Sequence, residues 1–263
     1  VRVHVVSDVH GNAEALARAG DGADALVVLG DLLDFVDYYD HGNGILGRIF
    51  GAEKVRVFAE MRTGRMPVEA ALYLRSLWAQ VDDAAEVVRE AVLEQYERLF
   101  AAMPAPTYAT PGNVDSPELW PRFAGRGVHV LDGEVAEIGG LRFGFVGGAL
   151  LPPAFAPRRR GGPWHAYLRT EEDFGAAAVG LTDVDVLCTH IPPAVADLTY
   201  DVVARRPEFG SHALLKVIER DRPRWSVFGH VHQPLSRRVR IGRTECVNVG
   251  HFQRTGTPHV LRW

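Results

Sequence analysis

Short apolar runs that close on a metal-binding type of side chain recur five times in this chain. "VRVHVV" runs into Ser7, Asp8 and His10, and "ALVVLG" into Asp31 and Asp34. "TYATPG" runs into Asn113 and Asp115, "VDVLCT" into His190, and "WSVFG" into His230 and His232. Continuous apolar runs of this length read as strands buried on both faces, as in parallel sheets covered by helices. In such sheets the loops past the carboxyl ends of the strands form the ligand crevice. The pattern therefore predicts an α/β fold and, at one edge of it, a convergence of carboxylates and imidazoles. Burying that many ionisable groups without an ion would cost several kcal/mol for each unpaired charge.

The 263 residues suffice for one large α/β domain, and we expect a single domain over 1–263. A 47% apolar and 24% charged composition places the chain among soluble globular proteins. The net charge of -4 supplies no global basic field, so nucleic acid is not indicated, although a local patch would suffice for it. No apolar run is long enough to span a bilayer, and the chain opens directly on a strand-like run. The expectation is a cytoplasmic protein with no membrane partner. Cys188 and Cys246 lie inside apolar runs and read as small buried hydrophobes.

Along the chain, residues 1–6 and the "ALVVLG" run read as parallel strands joined by a helix that Asn12 caps and that runs to Ala19. Residues 35–103 read as a helical insertion or cap. Its first part, "VDYYDHGNGILG", reads as a loop broken by Gly42, Asn43 and Gly44, and the chain turns helical after Pro67. Residues 82–103 form the clearest helix, with Val88, Val92, Tyr96, Leu99 and Met103 on one face. Further strands are expected at 128–131, 134–138, 141–147, 184–190, 225–229, 235–240, 244–249 and 258–262, with a hairpin at Gly139-Gly140. Ser211 is positioned to cap a helix through Arg220 that Pro223 stops.

Asp8 and His10, and likewise His230 and His232, are two residues apart, so each pair points to one side of an extended segment. Oxygen and imidazole donors without thiolate suit manganese, iron, zinc, cobalt or nickel. A carboxylate such as Asp31 can bridge two ions about 3.5–4 Å apart. Each piece taken singly reads blandly: a turn, a helix cap, a satisfied core histidine. Five together, each after a buried run, read as a site.

The blocks "SDVHGN", "GDLLD", "GNVD", "TH" and "GHVH", in this order over residues 8–232, resemble the calcineurin-like metallophosphoesterases. The resemblance implies a four-layer αββα sandwich of two mixed β-sheets, with the helical insertion between the second and third motifs. It implies two divalent metal ions, manganese first among the candidates. Asp8, His10 and His232 would hold one ion, Asn113, His190 and His230 the other, and Asp31 would bridge them. Asp34 would orient a ligand histidine. The implied activity is hydrolysis of a small-molecule phosphoester by a hydroxide held between the ions.

One position departs from the family pattern: Val114 stands where a histidine is common. Valine has neither proton nor lone pair, so general-acid help, typically worth about 10²–10⁴-fold, is lost. That favours a phosphodiesterase, since small prokaryotic diesterases of this kind often lack the histidine. The alternatives are a phosphomonoesterase on nucleotides or phosphoproteins and a non-catalytic metal-binding scaffold. Asp115 is expected to be free to orient an imidazole at 114. His251 and His41 are candidates for proton transfer. Asn12, Arg158, Arg159 and Arg160 are candidates for phosphate contact, and Trp164 and Tyr167 for stacking a base, against the reading of a solvated charge run on a loop.

Overall fold

The computed structural model describes residues 1–152 and 162–263. The chain opens with β1 (Arg2–Val6), α1 (Ala13–Arg18) and β2 (Ala25–Val28). Four helices follow: α2 (Gly44–Phe50), α3 (Ala52–Thr63), α4 (Pro67–Trp78) and α5 (Ala84–Ala101). Next come β3 (Thr107–Ala109), β4 (Val128–Val130), β5 (Glu134–Ile138), β6 (Leu141–Val146), β7 (Ala149–Leu150) and β8 (Leu168–Arg169). The rest comprises α6 (Glu171–Gly180), β9 (Val186–Thr189), α7 (Ala196–Thr199), β10 (Tyr200–Asp201), β11 (Arg206–Pro207), α8 (His212–Asp221) and β12 (Trp225–Phe228). It closes with β13 (Arg238–Ile241), β14 (Thr244–Asn248), α9 (Phe252–Thr255) and β15 (His259–Arg262).

Two large sheets result. The first has the order β15-β1-β2-β3-β4, with β1 to β4 parallel and β15 antiparallel to β1. The second has the order β13-β14-β12-β9-β6-β5, with a parallel centre and an antiparallel hairpin at each edge. Side chains alternate across each strand, so each sheet has two apolar faces to cover. Val3, Val5, Val27 and Leu29 from one sheet meet Phe143, Phe145, Val186, Cys188 and Val227 from the other. The outer face of the first sheet, with Val6, Leu26 and Val28, packs under Leu16 of α1 and Val88, Val92, Tyr96 and Leu99 of α5. The outer face of the second, with Leu187, Phe228 and Cys246, packs under Phe174 of α6 and Leu214, Val217 and Ile218 of α8. The architecture is thus a four-layer αββα sandwich. Each fully buried large side chain in these layers contributes roughly 1.5–3 kcal/mol.

Local signals place most elements. Asn12 accepts the Ala15 N–H and Ser211 the Leu214 N–H, so both expected caps form. The hairpin pairs Ile138 with Leu141 across Gly139-Gly140, both at positive φ. Cys188 and Cys246 are free and buried. Two expectations need correction. The segment expected to be a loop around Gly44 begins α2. Its first-turn donors, the N–H groups of Ile45 and Leu46, reach the carbonyls of Asp34 and Phe35 at 2.9 and 3.0 Å, and both side chains are buried. The strand expected over 235–240 starts later, because Ser236 bonds the Asp197 carbonyl instead of a ladder partner. α6 escaped the sequence reading, and Thr170 caps it.

Candidate metal centre

Each of the five loops leaves its strand at the same edge of the sandwich. Asp8, His10, Asp31 and His230 have positive φ values of 56°, 38°, 50° and 66°. Backbone in this region costs roughly 1–3 kcal/mol per non-glycine residue and persists where surroundings dictate it. Here all four strained residues are candidate ligands. Neighbouring glycines make the crowding feasible. A Cβ on Gly229 would overlap Ser7 Oγ and Asp8 Oδ2, and one on Gly112 would overlap Asp31.

The loops bring together all seven expected ligands. His232 Nε2 lies 3.4 Å from Asp8 Oδ1 and 3.4 Å from His10 Nε2. His190 Nε2 lies 3.0 Å from Asn113 Oδ1, and the rings of His190 and His230 are 5.2 Å apart. Asp31 Oδ2 stands between the groups, 4.0 Å from His10 Nε2 and 3.5 Å from His190 Nε2. The ligand atoms of Asp8, His10 and Asp31 all lie within 4.8 Å of one another. Asp8 Oδ2 accepts the His230 N–H at 3.0 Å, whereas the buried Asp8 Oδ1 makes no well-formed hydrogen bond among the described residues and has only His232 Nε2 facing it at 3.4 Å. A buried anionic oxygen without a well-formed hydrogen bond, in a set of oxygen and imidazole donors, fits a divalent cation.

The far ring nitrogens fix the tautomers. His10 Nδ1 lies 3.0 Å from the Leu33 carbonyl and His190 Nδ1 lies 2.7 Å from the Leu29 carbonyl. Both nitrogens must donate, so in the neutral form of each ring Nε2 is the atom that turns its lone pair to the site. This corrects the role expected of Asp34: backbone carbonyls, not its carboxylate, orient the histidines. Asp34 is instead anchored through its main chain by Gln95 of α5, at 2.9 and 3.0 Å. Its carboxyl lines a cavity of about 550 Å³ beside His10, with Asp37, Tyr39, Arg98 and Arg254. Burial, then the charges of Asp37 and Asp40, push its pKa up to about 7.

Val114 has a role in its backbone. Its N–H donates to Asp31 Oδ1 at 2.8 Å, and its side chain packs against the outer core of the first sheet. Asp115 is not free to orient an imidazole. It accepts from Gly112 N at 2.8 Å, Leu32 N at 3.0 Å, Leu33 N at 3.4 Å and Tyr96 Oη at 3.4 Å. It clamps the second and third motifs to each other and to α5.

The other candidates divide. His251 joins the centre, stacked on His232 at 3.8 Å, while His41 does not line the cavity. Asn12 lines it, but its oxygen caps α1 and its amide donates to the Gln253 carbonyl at 3.0 Å, so the capping reading explains it. Trp164 stacks on Phe35 at 4.3 Å and Tyr167 donates to Asp132 Oδ2 at 2.7 Å, which corrects their expected role as platforms for a base. Arg158, Arg159 and Arg160 lie outside the described residues. Gln95 and Gln253 escaped the sequence reading. Gln95 adjoins Tyr96 on the buried side of α5, a polar residue among core positions that could have flagged it.

Electrostatics divides the histidines in the metal-free protein. Burial disfavours the cation of His190, but Asp31 and Asp8 outweigh it and raise its pKa to about 9. Burial also opposes the His232 cation, and pairing with Asp8 prevails and raises it. Burial, reinforced by the His190 charge, lowers His230 to about 4, and burial foremost lowers His10. Asp8 and Asp31 would be raised by burial, yet the facing histidines hold both below the carboxylate range. A proton on His190 must therefore leave before Nε2 can bind a metal. The folded-state pKa is raised, so the proton is bound below about 9 and lost above it. Apparent metal affinity should rise with pH, by about tenfold per pH unit for each proton released, between about pH 6 and pH 8. Calorimetric titrations in buffers of different ionisation heat would show this release, and a pH-independent affinity would contradict it.

Among the described residues, no helix is long and apolar enough to cross a membrane. Residues 1–234 match the family model for calcineurin-like phosphoesterase. Among solved structures, the chain is similar to a Staphylococcus aureus protein described as a 5'-nucleotidase in complex with alpha-ketoglutarate. The identity is 13% and the TM-score 0.47, over 95% of this chain and 48% of that one. The chain thus spans about half the length of that structure. No curated protein matches.

Proposed function

The chain belongs to the calcineurin-like phosphoesterase family, and from that premise we propose that it is a metal-dependent hydrolase of phosphodiesters. The observation that carries the reading is the position of Asp31, whose Oδ2 faces His10 on one side and His190 on the other. Asp8, His10 and His232 would hold one divalent ion and Asn113, His190 and His230 a second, with Asp31 shared. Ions held by these residues would supply Lewis acidity towards a phosphoryl oxygen and would activate water as the nucleophile. Manganese is the first candidate metal.

The chain's own residues supply the rest. Asp8 and Asp31 bring the negative charge, and the Val114 amide fixes the orientation of Asp31. His10 and His230, neutral through burial, need lose no proton to bind. The cavity beside His10 would receive the substrate, with Arg98 and Arg254 as cations for its phosphate and Asp34 facing its alcohol portion. Arg158, Arg159 and Arg160 remain candidates for the same phosphate. Residues 35–103 would belong to the same domain, since α5 supplies both Gln95 to the site and a core face to the sheet. A cytoplasmic setting fits the two free cysteines.

Diester specificity rests on Val114, which leaves that position without a proton for a basic leaving oxygen. Bis-(p-nitrophenyl) phosphate and the p-nitrophenyl monoester expel the same p-nitrophenolate, so neither depends on the missing proton donor and their comparison isolates diester from monoester preference. Manganese-loaded protein should cleave the diester faster. Faster monoester cleavage would replace the diesterase reading with a monoesterase.

A further inference from the structure

We propose that His251 is an eighth ligand of the centre, joining His10 and His232 on the Asp8 side. The inference rests on the metal-centre reading above, and goes beyond the seven residues assigned there. Each of the rings of His10, His232 and His251 places a nitrogen within 4.8 Å of the others'. His251 lies almost parallel to His232, with centroids 3.8 Å apart and planes at 21°, and edge-on to His10 at 5.7 Å. It is 4% exposed.

The hydrogen bonds around His251 settle where its lone pair sits. Gln253 Nε2 donates to the His10 carbonyl at 3.2 Å, which turns Gln253 Oε1 toward His251 Nε2, also at 3.2 Å. A flipped amide would set two oxygens against each other, so the amide has one workable orientation. An amide oxygen only accepts, so His251 Nε2 carries the proton and the lone pair rests on Nδ1. That Nδ1 is buried and has no hydrogen-bond partner among the described residues. A bare imidazole nitrogen, held in a fixed tautomer next to two ligand histidines, is the arrangement a metal ligand requires.

The loop is built to hold it there. The N–H groups of Phe252 and Gln253 donate to the carbonyls of Ser7 and Asp8 at 3.0 and 2.9 Å. Asn12 Nδ2 donates to the Gln253 carbonyl at 3.0 Å. The segment carrying His251 is thus tied directly to the segment carrying Asp8 and His10, and Gln253 is its positioning residue. The centre becomes asymmetric. One side offers three imidazoles with Asp8 and Asp31, the other two imidazoles with Asn113 and Asp31. Imidazole-rich sites shift preference toward zinc, cobalt, nickel or iron, so the Asp8 side should prefer a borderline divalent ion more strongly than the other side does, while still taking manganese when that ion is supplied alone.

The test is metal binding to the metal-free full chain, by competition of zinc or cobalt with a chromophoric chelator. Wild type, His251→Ala and Gln253→Leu are compared, with the cobalt absorption spectrum as a second readout. Wild type should bind two ions. His251→Ala should weaken one of them by at least about tenfold, leave the other within about twofold, and change the cobalt bands. Gln253→Leu, which keeps the imidazole but frees its tautomer, should fall between. The same variants titrated with manganese should differ less. Unchanged affinities and cobalt spectrum in both variants would overturn the inference while leaving the seven-ligand centre standing. So would unchanged affinities accompanied by slower turnover, which would make His251 a proton donor. No binding by wild type would overturn the centre itself and this inference with it.

Discussion

Asp31→Asn should yield a folded chain that has lost at least about 10³-fold of its phosphoesterase activity. The substitution is conservative where the fold is concerned. An asparagine Oδ1 can still accept the Val114 N–H that Asp31 Oδ1 accepts at 2.8 Å. The change falls at the other end of the side chain, where Oδ2 faces His190 and His10 at 3.5 and 4.0 Å. There a negative oxygen becomes a neutral amide whose hydrogens point at the two imidazoles. One shared negative charge disappears from both halves of the centre at once. Asp31→Ala should be worse, because it also strands the half-buried Val114 amide. Steady-state kinetics with elemental analysis would check this. Two tightly bound ions and more than about a tenth of wild-type turnover in Asp31→Asn would refute the shared-ligand assignment.

Asp115→Ala should destabilise the metal-free protein by about 3 kcal/mol or more, as measured by denaturant unfolding. The carboxylate serves three backbone amides, those of Gly112, Leu32 and Leu33, and the Tyr96 hydroxyl, in a position 1% exposed. Each buried donor left without an acceptor costs roughly 1–3 kcal/mol. Burial and the Asp31 charge already push the Asp115 carboxyl up to about 7, so its anion is held against opposition. Loss of the clamp would also release the third motif, where Asn113 and the Val114 amide lie. A midpoint within error of wild type would show that water or a neighbour replaces the carboxylate. The same bonds weaken the case for rescuing a proton donor by Val114→His, because the partner expected to orient the imidazole is committed elsewhere.

The four layers and the sharing of ligands between two ions followed only from the resemblance of the five blocks to a family. The central strands and the convergence of carboxylates and imidazoles at their ends were legible in the sequence for one reason. The strands at the centre of the sheets are short apolar runs, and the residue after each run must emerge at the sheet edge. Asp8, Asp31, Asn113, His190 and His230 could therefore be placed without knowing any long-range contact. What could not be read was the set of bonds between loops far apart in sequence. Nothing local to Asp115 distinguishes a clamp over Leu32 and Leu33 from an imidazole partner. Nothing local to Asp34 says that Gln95 will hold its backbone or that Leu33 will orient His10. α2 was masked by Gly42, Asn43 and Gly44, because the acceptors that start that helix are the carbonyls of Asp34 and Phe35. His251 was visible as a histidine after a strand, but its partners, His232 and Gln253, become neighbours only through the crossing of α9 over the first motif.

The most direct test of the centre is electron paramagnetic resonance of wild-type protein loaded with manganese, paired with elemental analysis of the same sample. Two manganese ions per chain, giving the exchange-coupled spectrum of ions that share a ligand, is the expected result. A single ion, or two ions with the spectrum of isolated manganese, would contradict a centre joined through Asp31.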